Sequence, residues 1–288
     1  MRHRRAALAL LVLAALVAGC TRHGPLRPPT AAGATTSTSL PGTTTSTTAR
    51  PAAVLPASWP TSPRHTAPTD PAAQLDALRL SNQRGFDQVV FQFRGRVPGY
   101  DIRYTPRVIA DPSGQPVPLA GRAFLQVVFQ HATAEGHPVP AALAPRLATL
   151  QQLSPAGDFE HVLSFGLGLD HMAGFRVLAL ANPSRLVIEL AAPVGAFPGD
   201  VRTVAQAREV QRAVDAGHQP WRLRAIQVAA TYVAAGLGWA NATVQEVNAR
   251  TFRATAPGIR ASATVDLAQP VGLGTGAIWV VSGVLLSA

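Results

Sequence analysis

Gln88-Val89-Val90-Phe91-Gln92-Phe93-Arg94 is the stretch on which the fold turns. Val89, Phe91 and Phe93 fall on one face and Gln88, Gln92 and Arg94 on the other. A repeat of two is that of a strand with one face buried, not of a helix. Moving outward, Asp101-Ile102-Arg103-Tyr104 repeats the alternation, and Asp111-Pro112-Ser113-Gly114 supplies a turn ahead of Ala123-Phe124-Leu125-Gln126-Val127-Val128-Phe129. His161 to Leu169, Phe175 to Leu180 and Leu186 to Leu190 read as three more strands, the last two joined across Asn182-Pro183-Ser184-Arg185. A short helix is expected near Ala141 to Leu150. So many short strands, none able to bury its apolar face alone, are best satisfied by a β-sandwich.

The last third changes character. Pro220-Trp221 opens a stretch in which Leu223, Ile226, Ala230, Val233 and Leu237 follow helical spacing, with Gly236 and Gly238 as a stop, and an earlier helix is expected around Val204 to Ala216. Strands follow at Thr243 to Asn248, Ile259 to Leu267 and Ile278 to Leu286. The fold class is therefore mainly β: a sandwich, then a small α+β domain, both behind a disordered tether.

That tether runs over residues 20–75. Of the 55 residues from Thr21 to Leu75, 28 are Ser, Thr or Pro, too little apolar surface to offset the entropy of ordering. As a flexible coil it spans roughly 40 Å, and fully extended about 170 Å. Ahead of it, residues 1–19 read as a signal: basic Arg2, His3, Arg4 and Arg5, then an apolar run from Ala6 to Ala18. The run is too short to cross a bilayer as a helix, which takes about 20 residues. Val17-Ala18-Gly19-Cys20 resembles the lipobox of bacterial lipoproteins. The resemblance implies cleavage before Cys20 and acylation of its thiol and new amino terminus, hence a protein anchored to the outer face of the cell membrane. Cys20 is the only cysteine of the 288 residues, which excludes disulfide frameworks and multi-thiolate zinc sites.

The formal net charge is +10, but residues 76–288 hold 18 Arg against 14 acidic residues and no run of basic side chains. A nucleic-acid footprint needs such a stripe, so no nucleic-acid partner is expected.

Several motifs together resemble the AMIN-like domain of actinobacterial lipoproteins: Gly85-Phe86-Asp87-Gln88-Val89-Val90-Phe91-Gln92-Phe93, Pro98-Gly99-Tyr100, Val117 to Leu125, Gly157-Asp158-Phe159-Glu160, Phe165-Gly166-Leu167-Gly168-Leu169 and Pro183 to Glu189. The resemblance covers residues 76–192 and leaves 193–288 as a second domain of unknown role. It implies a noncatalytic envelope module that binds peptidoglycan or a wall-associated protein.

Motifs for chemistry are sparse. No Gly-X-Ser-X-Gly occurs. His131 and His137 sit in a loop, and Glu160-His161 and Asp170-His171 are neighbours that would point to opposite faces of a strand. Gly272-Leu273-Gly274-Thr275-Gly276 is followed by an apolar strand instead of a helix, as in a hairpin loop and not a phosphate cradle. Catalytic and metal-binding residues and cofactors are accordingly expected to be absent. The remaining handle is a set of arginines on polar strand faces and ends, Arg94, Arg96, Arg103 and Arg122, whose guanidinium forks suit carboxylate or phosphate. Two other functions stay open: an envelope hydrolase whose site no motif reveals, and a carrier of an apolar ligand, which needs an enclosed pocket lined by Phe, Leu and Val.

Overall fold

A computed structural model describes residues 59–137 and 139–288. The signal, Cys20 and most of the expected tether lie outside the described residues. The tether's last part does not fit the expectation: the chain is ordered from Trp59, forms strand β1 at Arg64–Thr66, and enters β2 at Ala73. Trp59 explains the early start. Its ring packs 5.9 Å from that of Phe86 and carries the Arg176 guanidinium 4.6 Å above it, contacts that hold the entering chain down.

Two antiparallel sheets make the sandwich. The first contains β1, β4 (Gly99–Thr105), β5 (Ala123–Gln130), β8 (Val162–Leu169) and β7 (Leu150–Phe159), in that spatial order. The second runs β11 (Thr243–Asn248), β12 (Thr251–Thr255), β13 (Ser262–Ala268), β14 (Val280–Ser287), β2 (Ala73–Gln83), β3 (Phe86–Arg94), β10 (Ser184–Ala191), β9 (Phe175–Leu180), with the two-residue β6 (Ala132–Thr133) beside the start of β2. The alternation in β3 does what its sequence requires. Phe91 meets Phe129 of β5 and Phe165 of β8 at 5.0 and 4.9 Å between ring centres, and Phe93 meets Phe129 at 5.1 Å. These rings fill the space between the sheets, where a carrier would keep an apolar chamber.

Strand β8 is buried on both faces. The segment ahead of β5 folds back across its outer side so tightly that a Cβ on Gly168 would lie 1.9 Å from the Ala120 carbonyl oxygen, and one on Gly166 would lie 2.7 Å from Leu119 Cδ1. Only glycine fits that approach.

Residues 193–288 supply helices α1 (Val204–Asp215) and α2 (Ala225–Thr231) and strands β11 to β14. These strands continue the second sheet. Leu285, Leu286 and Ser287 of β14 pair with Ser81, Leu80 and Arg79 of β2. Where the ladder parts, Asn82 bridges it: its Nδ2 donates to the Ser282 carbonyl at 3.1 Å, and its Oδ1 accepts from the Val284 N–H at 2.7 Å. One buried core runs from Leu78 and Phe91 through Val228 and Val233 of the helical stretch to Val265 and Leu286.

Residues 141–150 do not form the expected helix. They make an irregular strip held by a bridge from Leu143 to Leu153 and end in a tight turn. Pro145 falls in the middle of this stretch, where it lacks the N–H a helix needs and its ring clashes with the carbonyl of the preceding turn.

Candidate functional site

A cleft of about 680 Å³ opens beside this turn, walled by the 120–122 segment and the 144–152 strip on one side and by the 199–202 loop and residues 221–236 on the other. Four arginines line it (Arg122, Arg146, Arg202 and Arg222), together with Asp170, Asp200, the amides of Gln151 and Gln152, and the ring of Trp221.

The turn at 145–150 is held from three sides. From below, Asp87, fully buried in β3, accepts the N–H groups of Thr149 and Leu150 at 2.6 and 2.8 Å through one oxygen, while its other oxygen has no partner. Burial pushes the Asp87 carboxyl up to about 7, against the pull of those N–H groups and of the Arg202 charge. From the side, Arg202 donates to the carbonyls of Leu147 and Ala148 at 3.1 and 2.6 Å. From the far wall, the buried Tyr232 hydroxyl donates to the Pro145 carbonyl, and burial drives its pKa far above that of a free phenol.

Tyr232 opens the last turn of the helical stretch, where the bonding widens so that the Leu237 N–H reaches back five residues to the Tyr232 carbonyl. Such widened turns gather at functional sites. A Cβ on Gly236 would sit 2.7 Å from the tyrosine ring.

Held in this way, the turn forces Arg146 to φ +47°, a backbone that a long side chain adopts only when its surroundings dictate it. The Arg146 side chain is exposed and has no hydrogen-bond or ion-pair partner among the described residues. Arg122 donates from Nε to the Asp170 carbonyl at 2.8 Å, which leaves its terminal nitrogens directed at no protein acceptor among the described residues.

The other arginines are committed. Arg222, with 6% of its side chain exposed, pairs with Asp200, donates to Gln219 Oε1 at 2.7 Å and stacks 4.4 Å over Trp221. The segment Gly217-His218-Gln219-Pro220-Trp221 is the corner that sets this up. His218 N–H reaches the Ala213 carbonyl and Gly217 N–H that of Val214, which closes α1. Gln219 at φ +49° then starts the single turn Pro220–Leu223 that carries Trp221 into the cleft wall.

Of the four arginines singled out in the sequence, the cleft takes Arg122 alone. Arg94, at the end of β3, is bound to Asp76 at 2.7 Å; the hydrogen bond from Gln92, and after it this one, hold the Asp76 carboxyl below its ordinary value. Arg96 lies exposed in the next turn, and Arg103 on β4 pairs with Asp101 at 2.8 Å.

The histidines stay apart. Glu160 and His161 are the two left-handed residues of the β7–β8 hairpin turn. Asp170 and His171 lie just beyond β8, so the expected divergence of strand neighbours does not apply and Oδ1 and Nδ1 stand 2.6 Å apart. His131 faces Asp70 at 2.8 Å, and His137 lines a separate, more open hollow with Asp111 and Asp158. No three His, Cys, Asp or Glu side chains among the described residues converge as a metal-binding group. Gly274 lies in the β13–β14 loop, clasped by the Gln269 side chain, with bonds of 2.8 Å to its carbonyl and 3.1 Å from its N–H.

Comparison with known proteins rests on the β-rich part. The AMIN-like domain family matches residues 73–192. That part of the chain is an AMIN-like domain. No curated protein and no solved structure matches the chain. AMIN-like domains are associated with peptidoglycan and the cell wall, which places the protein in a cell-envelope setting. The AMIN-like domain contributes Asp87, Arg122, Arg146 and the glutamines of the cleft, while the segment after it contributes Arg202, Trp221, Arg222 and Tyr232. No helix among the described residues is long and apolar enough to cross a membrane.

Proposed function

We propose that this protein is a noncatalytic module of the cell envelope that grips peptidoglycan or a wall-associated partner, tethered to the membrane by an acylated Cys20. The AMIN-like domain supports the setting. The state of the cleft's ionisable groups supports gripping over cutting. Asp200 is tied to Arg222, Asp170 lies against His171, and Asp87 is sealed beneath the turn. Arg122 and Arg146, in contrast, present guanidinium donors to the opening.

The test uses the full chain with purified wall sacculi. The expected result is retention of the protein at low salt, with an unchanged fragment profile of the wall after long incubation. Absence of retention overturns the binding reading, and release of soluble wall fragments overturns the noncatalytic one. Mass spectrometry of the protein taken from membranes tests the anchor, and an unmodified Cys20 thiol refutes it.

A further inference from the structure

We propose that the cleft is a composite receptor for a carboxylate-bearing glycopeptide, anchored by Arg122 and Arg146, and that residues 193–288 exist to complete it. The inference rests on the envelope-binding reading and adds the ligand's chemistry, its anchoring residues and a task for the C-terminal segment.

Three observations carry it. The first is the free donors. Two of the four cleft guanidiniums are engaged by the protein, Arg222 through Nε and Nη2 with Gln219 and Asp200, and Arg202 through Nη2 with the carbonyls of Leu147 and Ala148. Arg146 and the outer end of Arg122 are directed at nothing in the protein among the described residues, and a planar fork of donors matches a carboxylate.

The second is the way Arg146 is displayed. It sits at φ +47° on a turn locked by the buried Asp87 and Tyr232 and the half-buried Arg202. Two of those groups, Arg202 and Tyr232, come from outside the AMIN-like domain. A strained backbone held by so many bonds is a presented residue, and the segment after residue 192 does much of the presenting.

The third is the mixed lining. Asp170 and Asp200 share the cleft with the free arginines, so a dianionic phosphate or a polyanion meets repulsion as well as attraction. A singly charged carboxylate flanked by N–H and O–H groups satisfies both signs at once. The Gln151 N–H₂ and the Gln152 amide are bound to the protein, which leaves Gln151 Oε1 as an acceptor for those neighbours, and Trp221 adds apolar surface to the lining against which a sugar packs.

The experiment is calorimetric titration of the full chain with disaccharide-peptide fragments cut from the wall by a muramidase. One arm uses the fragments with free carboxylates, one uses the same fragments with those groups amidated, and one uses inorganic phosphate. Arg122→Gln and Arg146→Gln are measured beside the wild type, with Arg103→Gln, outside the cleft, as the control. The expected result is binding of the free-acid fragment, weakened at least tenfold by either cleft substitution and by amidation, unchanged in Arg103→Gln, with phosphate binding weaker than the fragment.

Tyr232→Phe gives a readout specific to presentation. It leaves every cleft charge in place yet is expected to weaken the fragment several-fold, with the same preference for the free acid. Three outcomes overturn the inference: no binding of the fragment at millimolar concentration, equal binding by the cleft variants, or equal binding of the amidated fragment. The sacculus experiment separates the two failures. Variants that keep full retention on whole sacculi refute only the cleft assignment, whereas a wild type that is not retained refutes the wider reading as well.

Discussion

Replacing Asp87 with Asn is expected to remove a pH dependence that the wild type cannot avoid. The carboxyl is fully buried and reaches about 7 in the folded protein, against an ordinary value of 3.8. A carboxyl whose native value is raised favours folding below its unfolded value, and that contribution is lost as pH rises toward the native value. Between about pH 4 and pH 7 the wild type therefore loses on the order of 4 kcal/mol through this group, and the loss levels off above that window. For a folded region of this size that corresponds to a fall in Tm of about 10 °C.

Asn keeps an oxygen for the Thr149 and Leu150 N–H groups and cannot ionise. Its own unpartnered N–H₂ costs about 1–3 kcal/mol at every pH, so the comparison is one of slopes. Urea midpoints and Tm are measured for both proteins from pH 4.5 to 8. The wild type is expected to be the more stable at the acid end and to lose that advantage, then reverse it, toward pH 8. Parallel curves for the two proteins would refute the assignment of a raised carboxyl, and with it the view that the turn is held by a group straining against its own charge.

Four further changes test other joints of the structure. Tyr232→Phe leaves the Pro145 carbonyl without its donor and is expected to cost about 1–3 kcal/mol in chemical denaturation. Gly168→Ala drives a methyl into the Ala120 carbonyl and is expected to cost more than about 2 kcal/mol, with hydrogen exchange speeding up in the 119–122 segment at the cleft rim. Asn82→Ala removes both bonds that bridge β2 to β14. A loss of about 2 kcal/mol is expected, with protection lost first in β14. Trp59→Ala deletes the pin on the entering chain and is expected to cost about 2–3 kcal/mol, with limited proteolysis cutting between residues 59 and 72 where the wild type resists.

Much of the sandwich was legible because its strands obey a local rule. β3 and β5 alternate without interruption, and the β9–β10 hairpin announces itself through Asn182-Pro183. β7 escaped because Pro155 and Gly157 break its pattern. The structure accommodates them as bulges on an edge strand, where a missing N–H does no harm. The short β12 escaped although Phe252 and Ala254 alternate inward. The tether's end was misplaced because Pro-rich composition outweighed Trp59, whose partners Phe86 and Arg176 are remote in sequence.

The cleft was mostly illegible. Arg122 stood out as the residue before a strand. Arg146, Arg202 and Arg222 come from an irregular strip, a loop and a single helical turn, and only tertiary folding joins them. Trp221 beside Arg222 in a Pro-initiated turn was the one local hint. The continuity of the sheet through β14 and β2 leaves no local trace, because Asn82 and Ser282 stand 200 residues apart.

That separation governs the order of events as the chain acquires its structure. The stretch of β2 from Leu78 to Ser81 has no partner on the edge facing β14 until residues 280–288 arrive, and β3 and β10 must assemble in a sheet that still carries unsatisfied backbone groups there. A ladder closed across so long a loop forms slowly. During the interval the exposed edge is open to extended segments of other molecules. Yield on refolding should therefore fall steeply with protein concentration, and a synthetic peptide of residues 278–288 added in excess should restore it.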